Sequence, residues 1–230
     1  MPHKSALIIF ASTLPLLLTT AAWGVSIGQL DDFQDGTTQG WEVAVGPQGG
    51  MPPFPPANAA GGAGGAGDLF LQLTSTGGPG AGGRMVVING AQWTGNYLAA
   101  GVTGISMDVA NLGGLPLDLR MRFEHFAGPG PPTGDYISSQ AVTVGPQSGW
   151  QSVFFPIAES DLTDLTGGMG DDYATTLSDV GVIRLMHAPT TMLPPPMIDA
   201  VLGVDNVRAV PEPHLAPLSG LLWLALLRRR

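Results

Sequence analysis

The chain has 230 residues and an apolar content of 44%, which is typical of one folded domain. It contains no cysteine, which excludes disulfides, thiolate zinc sites and thiol nucleophiles. The formal net charge is −9, with 18 acidic and 9 basic residues. Such a surface repels a phosphate backbone, so we expect no nucleic-acid partner.

The N-terminus has the pattern of an export signal. His3 and Lys4 form a weakly basic start, residues 6–18 are largely apolar, and the segment Ala21, Ala22, Trp23, Gly24 supplies small residues for cleavage. The apolar stretch is shorter than the roughly 20 residues that span a bilayer. We therefore predict a removable signal peptide over 1–24, cut after Ala22 or Gly24, rather than a membrane anchor.

Two segments are predicted to be loops from their composition. Residues 46–67 are almost entirely Gly, Pro and Ala, and residues 190–196 include three consecutive prolines. Because the first segment has hardly any polar side chains, we interpret it as a spacer and not as a ligand-binding loop.

Alternation of apolar and charged residues is unbroken over 117–124, which is typical of a half-buried strand. The same period at 105–109, with turn-forming residues at 111–114, predicts an antiparallel hairpin. A single helical turn is expected at 160–165. Six more strands are predicted at 68–74, 84–88, 136–144, 150–156, 180–187 and 202–210.

These elements predict an all-β fold, an antiparallel β-sandwich over residues 25–209, because no helical period appears outside the termini. We expect a signal helix before the sandwich and a short apolar helix after it. The sandwich motifs are LDDFQD at 30–35, GW at 40–41, GWQSV at 149–153 and GVDNV at 203–207. Together they resemble the galactose-binding-like jelly rolls that include many carbohydrate-binding modules.

This resemblance implies that the first and last strands lie side by side and that a structural calcium ion bridges them. Calcium takes six to eight oxygen ligands, so several carboxylates must converge. The expected ligands are Asp31, Asp32, Asp35 and Asp205. In the alternative interpretation the first three form an acidic turn and Asp205 is a turn residue.

Glycan binding requires aromatic rings that contact the sugar and polar side chains that bond its hydroxyls. The alternative for each aromatic residue is burial in the core, which we also expect for Trp41 and Trp150. The candidate ligand-binding residues are Trp93, Asn96, Tyr97 and Tyr136, with a polar strand face of Arg120, Arg122 and Glu124.

No catalytic motif is present. The chain lacks a Gly-x-Ser-x-Gly elbow, and its glycine-rich stretch lacks the Lys-Ser/Thr of a phosphate loop. Glu124 beside His125, and Glu159 near Asp161, are the local clusters that could support glycoside hydrolysis. An acidic domain brings carboxylates together by chance, so we predict a protein that is not an enzyme.

The C-terminus combines a Pro-Glu-Pro box, an apolar segment at 215–227 and three arginines. This layout resembles the PEP-CTERM sorting signals, although Pro217, Ser219 and Gly220 interrupt the apolar segment. The terminal arginines are expected to stay on the cytoplasmic side of the membrane while the segment lodges in it. The predicted signal spans 210–230, with Val210, Pro211, Glu212, Pro213, Arg228, Arg229 and Arg230 as its key residues.

The sorting resemblance implies processing by an exosortase of a Gram-negative bacterium that makes exopolysaccharide. Together the patterns predict an exported cell-surface or matrix protein, transiently held in the inner membrane, whose noncatalytic sandwich binds a glycan such as the exopolysaccharide. Two alternatives stay open: a structural matrix protein without a specific ligand, and a glycoside-active enzyme.

Overall fold

Two antiparallel sheets pack face to face in the computed structural model, which describes residues 24–43, 55–78 and 82–211. The six-stranded sheet has the order β10-β6-β13-β4-β3, with β1 also paired to β13. Its strands are β1 (Leu30–Asp31), β3 (Ala57–Gly62), β4 (Gly65–Thr76), β6 (Val102–Asn111), β10 (Gln151–Pro156) and β13 (Asp199–Pro211).

The seven-stranded sheet has the order β11-β8-β7-β12-β5-β2, with β9 also paired to β7. A 3-10 turn at Glu159–Asp161 precedes β11, and helix α1 (Tyr173–Ser178) begins after Asp172, whose side chain accepts from the Thr175 N–H. The strands are β2 (Trp41–Val43), β5 (Val86–Asn89), β7 (Leu117–His125), β8 (Gly134–Ser138), β9 (Val142–Val144), β11 (Leu162–Asp164) and β12 (Val182–His187).

The all-β sandwich is confirmed, and each of the eight predicted strand segments contains a strand. The segment 136–144 divides into β8 and β9, and the turn expected at 160–165 is the 3-10 turn followed by β11. Strand β13 continues to Pro211, so Val210 and Pro211 of the predicted sorting signal belong to the last strand. The predicted terminal helices lie outside the described residues.

Alternation places the core between the sheets. Ile105, Met107 and Val109 of β6 face Leu119 and Met121 of β7, and all five side chains are buried. The residues between them point away from the core, because successive side chains of a strand point to opposite faces. Each sheet therefore has an outer face that is free for polar groups.

The predicted hairpin between 105–109 and 117–124 is wrong. Strand β6 pairs with β10 and β13, whereas β7 pairs with β8, β9 and β12 in the other sheet. The connection at 112–116 crosses between the sheets, so the apolar faces of the two strands meet across the core. Periodicity specifies the buried face of a strand but not its pairing partner.

The predicted loop at 46–67 is wrong in its second half. Residues 44–54 lie outside the described part, but Ala57–Gly62 forms β3 and β4 begins at Gly65. Strand β3 lies at the edge of its sheet and pairs with β4. Backbone pairing at an edge needs no large side chains, so Ala and Gly suffice there. The loop at 190–196 contains no regular element, as expected.

The first and last strands are neighbours. Leu30 pairs with Arg208 and Asp31 with Val207, while β4 pairs with the earlier half of β13, from Asp199 to Val204. Within the described residues, no helix is long and apolar enough to cross a membrane.

Candidate functional site

The three aromatic residues proposed to contact sugar point into the core. Trp93 and Tyr97 are 0% exposed and Tyr136 is 8% exposed. The Tyr97 hydroxyl donates to the Trp93 carbonyl at 2.8 Å, and Tyr136 packs edge-on against Tyr173. The Asn96 side chain accepts from the Ala99 N–H at 2.7 Å. These rings pack the sandwich and present no face to a ligand, so their assignment as sugar contacts is corrected.

Asp31 is also a packing residue. Its Oδ2 accepts from Trp41 Nε1 at 2.8 Å and from Trp93 Nε1 at 2.6 Å, and Gln92 Nε2 donates to both carboxylate oxygens. Burial raises the pKa of Asp31, and the three donors oppose this shift. Two indoles and an amide therefore occupy the acceptor sites of this carboxylate, and Asp31 has a structural role.

The other expected calcium ligands lie in separate local contacts. Asp32 accepts from the Gln34 N–H, and Asp35 accepts from the backbone and hydroxyl of Thr37, whose bonds lower the pKa of Asp35. Within the described ranges no group of three or more His, Asp or Glu side chains could hold a metal ion. The four predicted residues therefore do not fit a calcium ion as a set.

Asp205 instead meets Asp68 at the tip of the β3–β4 hairpin. Asp205 Oδ2 accepts from the Ala63 N–H at 3.0 Å, and Asp68 Oδ2 accepts from the Gly64 N–H at 2.6 Å. Gln34 Nε2 donates to Asp68 Oδ1 at 2.8 Å. Burial raises the pKa of Asp205 to about 6, against the Ala63 bond, and the hydrogen bond and charge of Asp68 add to the shift. This pair connects the hairpin to the last strand.

The predicted polar face of β7 exists as an ionic cluster on the outer face of the seven-stranded sheet. We define this ionic cluster as Arg122, Glu124, Asp135 and Arg184. Arg122 bonds both oxygens of Asp135, at 2.6 and 2.5 Å, and lies 2.8 Å from Glu124 Oε1. Arg184 Nε donates to Glu124 Oε2 at 2.7 Å. Each of the two carboxylates is thus paired with guanidinium groups through both of its oxygens.

Arg120 stands apart from this cluster. Its Nε donates to the Ala188 carbonyl at 2.8 Å and its Nη1 donates to the Ser138 carbonyl at 2.6 Å. These bonds join β7, β8 and the segment after β12, so the guanidinium group of Arg120 has a structural role. Of the predicted polar face, Arg122 and Glu124 come together and Arg120 does not join them.

His125 and His187, the last residues of β7 and β12, also make local hydrogen bonds. His187 Nδ1 accepts from the Asp118 N–H at 2.9 Å, and burial lowers the pKa of His187, which favours its neutral form. His125 Nδ1 lies 2.7 Å from the Asp179 carbonyl, and its Nε2 is 3.7 Å from Asp171 Oδ2. Among the described residues, neither histidine makes a hydrogen bond to a serine.

Trp150 lies outside the core, contrary to expectation. It is half-buried on the outer face of the six-stranded sheet, where it contacts Phe70 edge-on with ring centroids 5.1 Å apart. Its Nε1 donates to the Gly61 carbonyl of the β3–β4 hairpin at 3.0 Å. Below it is Gly203 of β13, where an added Cβ would lie 2.8 Å from the Trp150 ring. The missing side chain of Gly203 makes the space in which the ring is held.

Phe154 repeats this arrangement four residues later. An added Cβ at Gly104 of β6 would lie 2.2 Å from its ring, and the side chain is 45% exposed. Between the rings, the Asp108 carboxylate accepts from the Ser152 hydroxyl and from Asn206 Nδ2. We name this surface the aromatic face and define it by Phe70, Trp150, Phe154, Asp108, Ser152 and Asn206.

Solved structures share this fold, although no family model matches the chain and no curated protein is similar in sequence. A family 11 carbohydrate-binding module from Clostridium thermocellum, in complex with a β-1,3-1,4-mixed-linked tetrasaccharide, has a TM-score of 0.52 and 14% identity. That match covers 81% of this chain and 98% of the module. The sandwich has the fold of these modules.

Two further matches support the same fold. The solution structure of CtCBM11 has a TM-score of 0.51 and 17% identity, over 84% of this chain and 98% of that one. An exo-β-agarase has a TM-score of 0.53 and 13% identity, over 84% of this chain but 26% of its own length. The likeness to the agarase therefore concerns a part of that enzyme.

Proposed function

We propose that this chain is an exported, noncatalytic glycan-binding protein of the cell surface or extracellular matrix. The observation that carries the proposal is the fold, which matches a sugar-bound family 11 module over nearly the whole of that module. The net charge of −9 favours a neutral glycan over a polyanionic one. Exopolysaccharide made by the same cell is the proposed ligand.

Export and processing complete the proposal. The predicted signal peptide directs the chain out of the cytoplasm, the arginine-flanked tail halts it in the inner membrane, and an exosortase cuts at the Pro-Glu-Pro box. Residues 1–23 and 212–230 lie outside the described part of the chain, so this proposal depends on their sequence.

The noncatalytic assignment is supported by the ionic cluster. A glycosidase needs one carboxyl group that donates a proton and a second that acts as base or nucleophile. Glu124 is 1% exposed and both its oxygens are paired with guanidinium groups, so neither oxygen is free to act on a substrate. Calcium is not part of the proposal, because the residues expected to bind it are held in separate contacts.

Affinity electrophoresis tests the proposal. The full chain would be run through native gels that contain mixed-linkage β-glucan, agarose or the exopolysaccharide of the producing cell, with a non-binding protein as reference. We expect retardation by at least one polysaccharide. Equal mobility in all gels would instead favour a structural matrix protein, and release of reducing sugar would favour an enzyme.

A further inference from the structure

We propose that the glycan binds on the aromatic face of the six-stranded sheet, where a neutral oligosaccharide contacts Trp150 and Phe154 and bonds the polar groups between them. This inference rests on the proposed glycan-binding function and adds the location and the class of sugar.

The two rings are held in place before any ligand arrives. Each lies against a glycine of the same sheet, Phe154 on Gly104 of the neighbouring β6 and Trp150 on Gly203 of β13, one strand further away. Trp150 is further fixed by its bond to the Gly61 carbonyl and by its edge contact with Phe70. A ring that is already ordered loses little side-chain entropy on binding, and both rings remain accessible at the surface.

The spacing of the rings suits a chain of sugars rather than one sugar unit. Trp150, Ser152 and Phe154 have the same parity, so they project from the same side of the strand. At about 3.3 Å per residue, the backbones of Trp150 and Phe154 are roughly 13 Å apart along the strand. The Trp150 ring reaches further, across β6 to Gly203 of β13. An oligosaccharide that crosses this face obliquely, over β6 and β13, can therefore contact both rings with different units.

The polar groups between the rings can bond sugar hydroxyls. Ser152 and Asn206 each donate to one oxygen of Asp108 and fix the orientation of its carboxylate. An ionised carboxylate has about four acceptor sites, so Asp108 keeps acceptors for a ligand. Asp205, Asp68 and Asp108 all lie on or near this face, which disfavours an anionic sugar.

The ionic cluster on the opposite face has fewer acceptors to offer. Both oxygens of Glu124 and both oxygens of Asp135 are paired with guanidinium groups. A sugar hydroxyl that bonds there must displace an ion pair between partly buried groups, which costs free energy. The aromatic face needs no such exchange.

Binding of β-1,3-1,4-linked glucan oligosaccharides, measured by titration calorimetry on the full chain, tests the location. We expect Trp150→Ala to weaken binding at least tenfold, the loss of about 1.4 kcal/mol at a buried aromatic contact. Phe154→Ala and Asp108→Asn should each weaken it several-fold. Arg184→Gln, which keeps an N–H for Glu124, is the matched control on the opposite sheet and should bind as the wild type does.

Circular dichroism of each variant shows whether it folds, and Phe154→Ala keeps the test valid if Trp150→Ala does not fold. Wild-type-like affinity in Phe154→Ala and Asp108→Asn, with binding lost in Arg184→Gln, would overturn the location and leave the proposed function standing. A wild-type chain that binds no neutral glycan in calorimetry or electrophoresis would overturn both.

Discussion

Trp93 donates its indole N–H to Asp31 Oδ2 at 2.6 Å in the interior of the sandwich, and the same oxygen accepts from Trp41. One carboxylate thus satisfies two buried indoles from separate segments of the chain. Since a buried N–H without a partner costs free energy, the packing of this end of the core depends on Asp31.

Replacing this carboxylate is therefore expected to destabilise the fold. Asp31→Ala leaves both indoles without an acceptor, so the free energy of unfolding should fall by roughly 3 kcal/mol, and Asp31→Asn, which keeps one acceptor, should cost about half as much. Urea denaturation measures both values. Asp179→Ala, at a side chain that is 74% exposed, is the control and should change little.

Metal removal provides a second test. Because the four expected ligands do not converge, we predict that EDTA leaves the melting temperature of the full chain unchanged and that added calcium does not raise it. Differential scanning fluorimetry is sufficient for this measurement. A rise in melting temperature that depends on calcium concentration would show that other groups assemble a site.

The Asp68–Asp205 pair predicts a dependence of stability on pH. The pKa of Asp205 is raised to about 6 in the fold, above the 3.8 of a free aspartate, so the native state keeps its proton longer than the unfolded state. Stability should therefore fall as the pH rises from about 4 to about 6 and level off above that.

Unfolding in urea between about pH 4 and pH 8 measures this decline. Asp68→Asn removes the charge that helps to raise the pKa of Asp205, so the variant should lose less stability across the window. Asp199→Asn, at an exposed residue, serves as the control and should follow the wild type. An identical decline in Asp68→Asn and the wild type would contradict the role of the pair.

Replacement of Glu124 by Gln distinguishes a structural role of this residue from a catalytic one. Glu124→Gln leaves Arg122 and Arg184 without their shared counter-charge, and breaking such a buried cluster is expected to cost about 3 kcal/mol of stability. Turnover of a chromogenic glycoside should be undetectable in the wild type and in the variant. Turnover by the wild type that disappears in a folded Glu124→Gln protein would instead support the enzyme alternative.

Mass spectrometry of the mature protein from its native host tests the sorting proposal. We expect an N-terminus just after Ala22 or Gly24 and a C-terminus close to the Pro-Glu-Pro box, at 211–213. Replacement of Arg228, Arg229 and Arg230 by Ala should leave the tail uncut. A native chain that still ends at Arg230 would rule out processing.

The sequence predicts most of the strands because each has one buried face. Strand β7, from Leu117 to His125, is recognisable from alternation alone, and so is the segment 105–109 of β6. Strand β3 could not be found in this way, since Ala and Gly carry no pattern of burial. Sheet membership was also out of reach, because β6 and β7 have the alternation of a hairpin although their partners come from distant parts of the chain.

The site was harder to predict than the fold for a related reason. Trp93 and Trp150 are both tryptophans near glycine and polar residues, yet one is buried and the other lies at the surface. In β10 the neighbours Phe154 and Phe155 are both apolar, so the buried face is ambiguous from sequence. Gly104 on β6 and Gly203 on β13 leave the space in which the two rings lie on the outer face, and the residues around the rings in sequence do not indicate this.

The position of β13 determines how the domain responds to tension. This strand is flanked by β6 on one side and by β4 and then β1 on the other, with its last residue, Pro211, at the end of the chain that leads to the tail. A pull on that end acts along the strand, while the hydrogen bonds of antiparallel neighbours run across it. A load applied at Pro211 along the strand therefore strains these bonds together in shear and does not open them one at a time, which is the mechanically resistant geometry.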